Sequence, residues 1–334
     1  MIKIIQTIFI LLLISIAFCN NSGAGPFTSK LLPILSGGKM GYIDETGKVV
    51  ISPKYDFVSV FDDDLAPVMI GGKWGYINRK GDKTIGFKFD AANVFHEGLA
   101  SVIVGPKPSG KYGFIDKKGN YIVEPKFQHA GRFSEGLASV EKDGILGFVD
   151  KSGQLLITPK FENARRFSEG FAAAQSGGKW GYIDKSGKFI ISPQFDEASD
   201  FSEGVVSVKS SGRFGFINKS GKIVIAFQFE LASDFSEGFA AVKSGGKWGY
   251  IDKSGKFTIS PQFNYANQFS RGLAAVEAEG KYGYINKIGA YVIEPMLDVL
   301  FAWSFLYGFA QIEYVDGRVG YINRSGEFVW KPKK

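Results

Sequence analysis

From Leu31 onward the apolar residues come in short alternating bursts, and glycine separates the bursts. The bursts are too short for helices and have the two-residue period of a strand. The clearest is Lys179-Trp180-Gly181-Tyr182-Ile183, which predicts a strand with Trp180 and Tyr182 on one face and Gly181 and Ile183 on the other. A glycine inside a strand marks a close approach, here expected from an aromatic ring of a neighbouring unit. Asp184-Lys185-Ser186-Gly187 follows as a turn, with an Asx side chain to open it and a left-handed Gly to close it. The return strand is Phe189-Ile190-Ile191, and Pro193 ends it or confines it to an edge. Ala198 and Phe201 then stand three apart, which predicts a single helical or 3₁₀ turn with Phe201 in the core. Gly204 reverses the chain, and a third strand, as in Leu137–Val140 or Phe239–Val242, leads to the next unit.

This pattern recurs. The glycine of the Trp-Gly-Tyr burst is found at Gly41, Gly75, Gly113, Gly147, Gly181, Gly215, Gly249, Gly283 and Gly320, at spacings of 34, 38, 34, 34, 34, 34, 34 and 37. Nine units therefore fill residues 31–334 and leave no room for a second domain. One unit cannot bury its aromatic residues alone, so neighbours must stack. The expected fold is all-β, with tandem hairpin or meander repeats in an open solenoid-like array. Three strands in 34 residues, and an array that begins and ends on complete units, favour that over the alternative, a propeller-like ring.

Lys-Trp-Gly-Tyr-Ile-Asp-Lys-x-Gly-Lys, followed by Pro-x-Phe and Phe-Ser-Glu-Gly, closely resembles the WG repeat, also called the KWG repeat. The aromatic before the glycine is lost at Met40, Leu146 and Val319, and the connector decays at Leu297–Tyr307. The resemblance implies a bacterial, β-rich protein, often secreted or surface-associated. The hairpins are more distantly similar to choline-binding cell-wall repeats.

Residues 1–18 read as a signal peptide: Lys3 precedes an apolar run that is too short for a comfortable membrane span. The run ends at Cys19, the single Cys, and Ile16-Ala17-Phe18-Cys19 resembles a lipobox apart from Phe18. Residues 19–30 are then a lipidated Cys and a flexible tether. The expected address is a membrane-anchored lipoprotein of the bacterial envelope, with a secreted or periplasmic soluble protein as the alternative.

Composition narrows the chemistry. The chain has 43 Gly and 31 Phe but one Cys and two His, which excludes a disulfide framework and a Cys-based zinc site. His96 and His129 fall in different slots of different units and cannot form a repeated site. Phe61-Asp62-Asp63-Asp64 is the acidic cluster, read as a solvated loop in preference to a calcium site. The recurrent Glu97, Glu135, Glu169, Glu203 and Glu237 give way to Arg271, and a repeated Glu does not supply the two distinct carboxylates of a glycosidase. The turn residue is Asp in some units and Asn in others (Asp184, Asn218), so an acceptor is wanted there and not a charge. The net charge is +7, and Lys185, Lys188, Lys219, Lys222, Lys253 and Lys256 would form a ladder, read as a solubility device before an acidic-partner surface. No catalytic, metal-binding or cofactor-binding residue is expected. The leading function is a non-enzymatic envelope scaffold that binds a protein. The alternative is binding of an envelope polysaccharide through Trp74, Trp180 and Trp248, and the least favoured is an enzyme built from non-repeated residues. Nucleic acid is not an expected partner.

Overall fold

The computed structural model describes residues 31–106 and 108–332. The segment expected to be signal peptide, Cys19 and tether lies outside the described residues. These residues form nine antiparallel sheets, numbered here one to nine in chain order. Sheet one has three strands among the described residues, Leu32–Ser36, Lys39–Ile43 and Val49–Tyr55. Each of the others has four, hydrogen-bonded in sequence order.

Sheet six shows the plan: Glu197–Ala198, Val205–Ser210, Arg213–Asn218 and Ile223–Phe229. The first strand is only two residues long, and it falls where the sequence predicts a helical turn. Ala198 instead pairs with Val208, and the Ser199 N–H donates to the Ser207 carbonyl at 3.1 Å. The chain reverses at Glu203 and Gly204, with φ of +55° and +84°, while Ser202 and Val205 exchange both backbone hydrogen bonds. Positive φ at both central residues is the primed two-residue hairpin turn, whose twist matches that of its strands. A spacing of three apolar residues cannot separate a helical turn from such a bent hairpin. Both bury the phenylalanine, and Phe201 is in the core as expected.

The glycine of the third strand also has a different neighbour from the one expected. Tyr250 pairs with Ile259 and Trp248 with Phe263, so the fourth strand carries extra residues between them. That bulge lies over Gly249, where a Cβ would stand 2.6 Å from the Ile259 carbonyl and 2.7 Å from the Pro261 nitrogen. The backbone of the same sheet makes the approach, not a ring of the next unit. Pro261 sits in this bulge of an edge strand, where its missing N–H takes no bond from the ladder.

Neighbouring sheets meet through the core. Ala173, Tyr182, Ile191 and Phe195 of sheet five pack with Ala198, Phe201, Val206, Val208 and Ile217 of sheet six. Tyr182 and Phe201 approach edge to face at 4.9 Å, as Tyr250 and Phe269 pack at 4.7 Å, each pair adding about 1 kcal/mol beyond its buried area. The turn glycine Gly255 lies against Ile225 of the preceding sheet, with 3.1 Å between an added Cβ and that side chain.

The described residues fall into two compact units. One comprises the described part of Met1–Lys126 with Val299–Phe301 and Leu306–Lys334, and the other Phe127–Asp298 with Ala302–Phe305. Within the first unit, sheet nine packs on sheet one. Leu32, Ile34 and Ile43 share a buried cluster with Tyr321, whose hydroxyl donates to the Pro33 carbonyl at 2.8 Å. The ends of an open solenoid would not touch. The expected open array is therefore corrected to its alternative, a β-propeller of nine blades. Closure depends on a small rotation from each sheet to the next, which no single unit's residue pattern displays, and the first strand, only two residues long, is too short to show in that pattern.

Candidate functional site

The repeated residues are occupied in holding sheets together. The Ser168 hydroxyl donates to the Phe201 carbonyl of the next sheet at 2.7 Å, and Ser134, Ser202 and Ser236 do the same with Phe167, Phe235 and Phe269. The Glu203 carboxylate accepts from the Gly238 N–H of the next sheet's turn at 3.1 Å and pairs with Lys253 at 3.2 Å. Glu135 and Lys185, Glu169 and Lys219, and Glu237 and Lys287 repeat the pairing. At Glu237 burial raises the carboxyl pKa, but the bonds from Lys287 and Gly272 prevail and hold it below the usual range. Three lysines of the expected ladder, Lys185, Lys219 and Lys253, are thus paired with carboxylates and are not a free cationic edge. Lys188 and Lys256 are exposed.

The acidic cluster belongs to the same device. Asp62-Asp63-Asp64 occupies the Ser-Glu-Gly slot of sheet two, with positive φ at Asp63 and Asp64. Asp62 is buried, the Asp63 carboxylate accepts from the Gly98 N–H at 2.5 Å, and Asp64 pairs with Arg79 at 3.3 Å. It is a hairpin turn in which Asp62 is buried and Asp64 is solvated, as the sequence led one to expect of the whole cluster. Among the described residues no group of three or more His, Cys, Asp or Glu is arranged to hold a metal ion. His96 lies half-buried in the Ser slot of sheet three, and His129 is exposed on the first strand of sheet four.

Trp74, Trp180 and Trp248 open their third strands and are half-buried. Each has a partner: Phe57 stacks at 6.3 Å from Trp74, Tyr265 lies 6.2 Å from Trp248, and the Arg165 guanidinium sits 5.8 Å over Trp180. They are neither fully core nor open platforms.

The distinctive chemistry lies in residues that do not repeat. Just after the short first strands, where the chain bends, successive units carry Arg165-Arg166, Ser199-Asp200, Ser233-Asp234 and Asn267-Gln268. In the second unit these side chains converge. Arg166 Nε pairs with Asp200 Oδ2 at 2.9 Å. The Ser207 hydroxyl donates to Asp234 Oδ1 at 2.8 Å, and Gln268 Nε2 donates to the Asp234 carbonyl at 3.0 Å. Burial pushes the Asp234 carboxyl up to about 6; the Ser207 bond works against the rise and the nearby Asp200 charge adds to it. The second oxygen of Asp200 is buried with no hydrogen-bond partner. The result is one ion pair, Arg166–Asp200, beside a carboxyl raised to about 6. It can recognise a charged or hydrogen-bonding partner and change charge with pH. Sequence reasoning passed over these residues because it searched for repeats. The available signal was the inverse: two adjacent columns in which otherwise matching units differ.

No curated protein matches the chain. Among solved structures, BamB from Moraxella catarrhalis is similar at 12% identity and a TM-score of 0.48, over 90% of this chain and 99% of that one. Kluyveromyces lactis Hsv2p is similar at 10% identity and 0.44, over 70% and 92%. The extracellular domain of the putative one component system BT4673 from B. thetaiotaomicron is similar at 10% identity and 0.38, over 90% and 58%. The WG containing repeat model matches eight consecutive segments, 40–74, 74–107, 112–144, 147–180, 180–213, 214–248, 248–282 and 282–317. With most of its length matched in this way, the chain belongs to the WG containing repeat family.

Proposed function

We propose that this protein is a non-enzymatic binding scaffold, exported and held at a membrane by lipid on Cys19, and that it engages a protein partner through the non-repeated residues of the second unit. One observation carries the reading. The repeated Ser and Glu, and the turn Lys that pair with those Glu, are engaged between sheets, whereas Arg165, Arg166, Asp200, Asp234 and Gln268 differ from unit to unit and cluster together. Repetition serves the fold, and departure from it provides a surface that differs from blade to blade. No helix of the described residues is long and apolar enough to cross a membrane.

The test is a cross-linking capture from envelope extracts with the wild-type protein and with Arg165→Glu. Arg165 is exposed and lies over Trp180, so the reversal changes the surface charge while the Arg166–Asp200 pair stays in place. A partner captured by the wild type and lost by the variant supports the reading, and equal capture by both counts against this site. Polysaccharide binding through Trp74, Trp180 and Trp248 stays as the second reading, since all three are half-buried and keep some accessible surface. Titration with envelope polysaccharide, read by tryptophan fluorescence, separates the two.

A further inference from the structure

Arg165 is a cation in a column of neutral residues. The residue just past the short first strand donates its N–H to the second strand of its own sheet. In sheet five this is Arg165 to the Ala173 carbonyl, at 2.8 Å. Ser59, Asn93, Gly131, Ser199, Ser233 and Asn267 hold the same place in sheets two, three, four, six, seven and eight, with the same bond at 2.9–3.1 Å. That backbone bond asks nothing of the side chain, so the fold does not require an arginine there.

The Arg165 side chain is exposed, and its guanidinium lies 5.8 Å over the half-buried Trp180 ring. Among the described residues it makes no hydrogen bond or ion pair. Its neighbour Arg166 differs, since its Nε is held by Asp200 at 2.9 Å. A guanidinium carries five N–H donors in a planar fork, which fits a carboxylate two bonds at a time. The Trp180 ring covers one face of that fork and steadies its plane, so less freedom is lost when an anion docks. A phosphate calls for more than one free cation, and Arg166 is already committed. The Arg166–Asp200 pair shows the matching arrangement within the chain itself.

We infer that Arg165, seated on Trp180, binds the carboxylates of an acidic segment of the partner protein, which rests on the scaffold reading above and adds the partner's chemistry. The groups around it set a gate. Tyr182 of sheet five stays neutral: burial pushes its hydroxyl far above the ordinary value, the Asp234 and Asp200 charges add to this, and it donates to the Ser199 carbonyl at 3.0 Å. Arg166 and Asp200 offset each other, and Gln268 of sheet eight, which donates to the Asp234 carbonyl, carries no charge. Asp234 of sheet seven is the group that changes. Burial lifts its carboxyl to about 6, and Arg165 acts on it in the opposite direction. Above that value the Asp234 charge competes for Arg165 and opposes an incoming carboxylate. Below it the proton removes both effects. Binding of an acidic segment should therefore weaken as pH rises through about 6.

The test titrates the full chain with capped oligoaspartate and capped oligolysine peptides at low salt, by calorimetry at about pH 5.5 and 7.5, where the probe carboxylates are ionised throughout. Oligoaspartate should bind the wild type about threefold or more tighter at the lower pH. Arg165→Gln should weaken that binding about tenfold, and Arg165→Lys, which keeps the charge without the fork, should recover part of it. Asp234→Asn should keep the tighter affinity at both pH values. Equal binding by the wild type and Arg165→Gln, binding by neither, or preference for oligolysine overturns the inference. A wild type insensitive to pH, or an Asp234→Asn protein that keeps the pH dependence, overturns the gate. The scaffold reading fails separately. A captured partner lost with Arg165→Glu, but no oligoaspartate binding, keeps that reading and overturns the acidic chemistry. Oligoaspartate binding with no captured partner keeps the chemistry and counts against the scaffold.

Discussion

The Tyr321 hydroxyl donates to the Pro33 carbonyl at 2.8 Å across 288 positions of sequence. Both residues lie in the first unit, and Tyr321 is buried with Leu32, Ile34 and Ile43. Tyr321→Phe removes the hydroxyl and keeps the ring. It should cost about 1 kcal/mol, the net worth of one buried hydrogen bond, whereas Tyr321→Ala should cost about 3–5 kcal/mol. Urea unfolding of both variants measures the difference. Equal costs would mean that the ring makes no more of the contact than the hydroxyl.

The glycine of the third strand should tolerate nothing larger. Gly249→Ala drives a Cβ into the Ile259 carbonyl and the Pro261 nitrogen, both backbone atoms that cannot swing aside. Destabilisation of several kcal/mol is expected, or failure to fold. Gly245→Ala, with φ +60° and nothing within 4 Å of the added atom, should cost only about 1 kcal/mol of backbone strain. Tm values for the pair check this, and similar losses would remove the bulge as the reason for the glycine.

The Glu–Lys pairs make a graded prediction. Lys253 and Glu203 are both partly exposed, so Lys253→Ala should cost less than about 1 kcal/mol. Glu203→Ala also leaves the Gly238 N–H without its acceptor, which should raise the loss to about 1–2 kcal/mol. The comparison is made by chemical denaturation at low and high salt. If the Lys253 variant is the worse of the two, the carboxylate-to-backbone bond is not the main link between turns.

Asp234 should make stability depend on pH in a defined window. Its carboxyl is raised from 3.8 to about 6 by burial, so between those values the folded protein holds a proton that the unfolded chain has released. Stability from this group is complete below about pH 4, falls as pH rises through 6, and is then flat, with a total loss of about 3 kcal/mol. Asp234→Asn should abolish that slope. Unfolding curves for both proteins at pH 4, 5, 6 and 7 decide, and parallel behaviour would show that Asp234 does not titrate there.

Much of the fold was legible because each unit repeats its own instructions. Asp184 to Gly187 specified a hairpin turn that forms as read, with the Ser186 and Lys188 N–H groups donating to the Asp184 carboxylate. The inward Phe201 was legible from its spacing. The short first strand was not, because Glu197–Ala198 is too short to show alternation. Closure was not, because Tyr321 and Pro33 come together only after eight steps of rotation. The candidate site stayed hidden for a related reason. Arg166, Asp200 and Asp234 belong to three successive units, and only the packing of one sheet on the next makes them neighbours.

The distance between the two ends of the array tests the closed arrangement most directly. Spin labels at Glu45→Cys and Phe328→Cys, in a Cys19→Ala background, report on the place where Gly47 of sheet one meets the Val329 carbonyl of sheet nine. Closure predicts a separation below about 20 Å by pulsed dipolar spectroscopy, whereas eight sheet-to-sheet steps of ~10 Å in an open stack would give about 80 Å. A single short distance is the result expected of the propeller. A distribution centred at the long distance would contradict it.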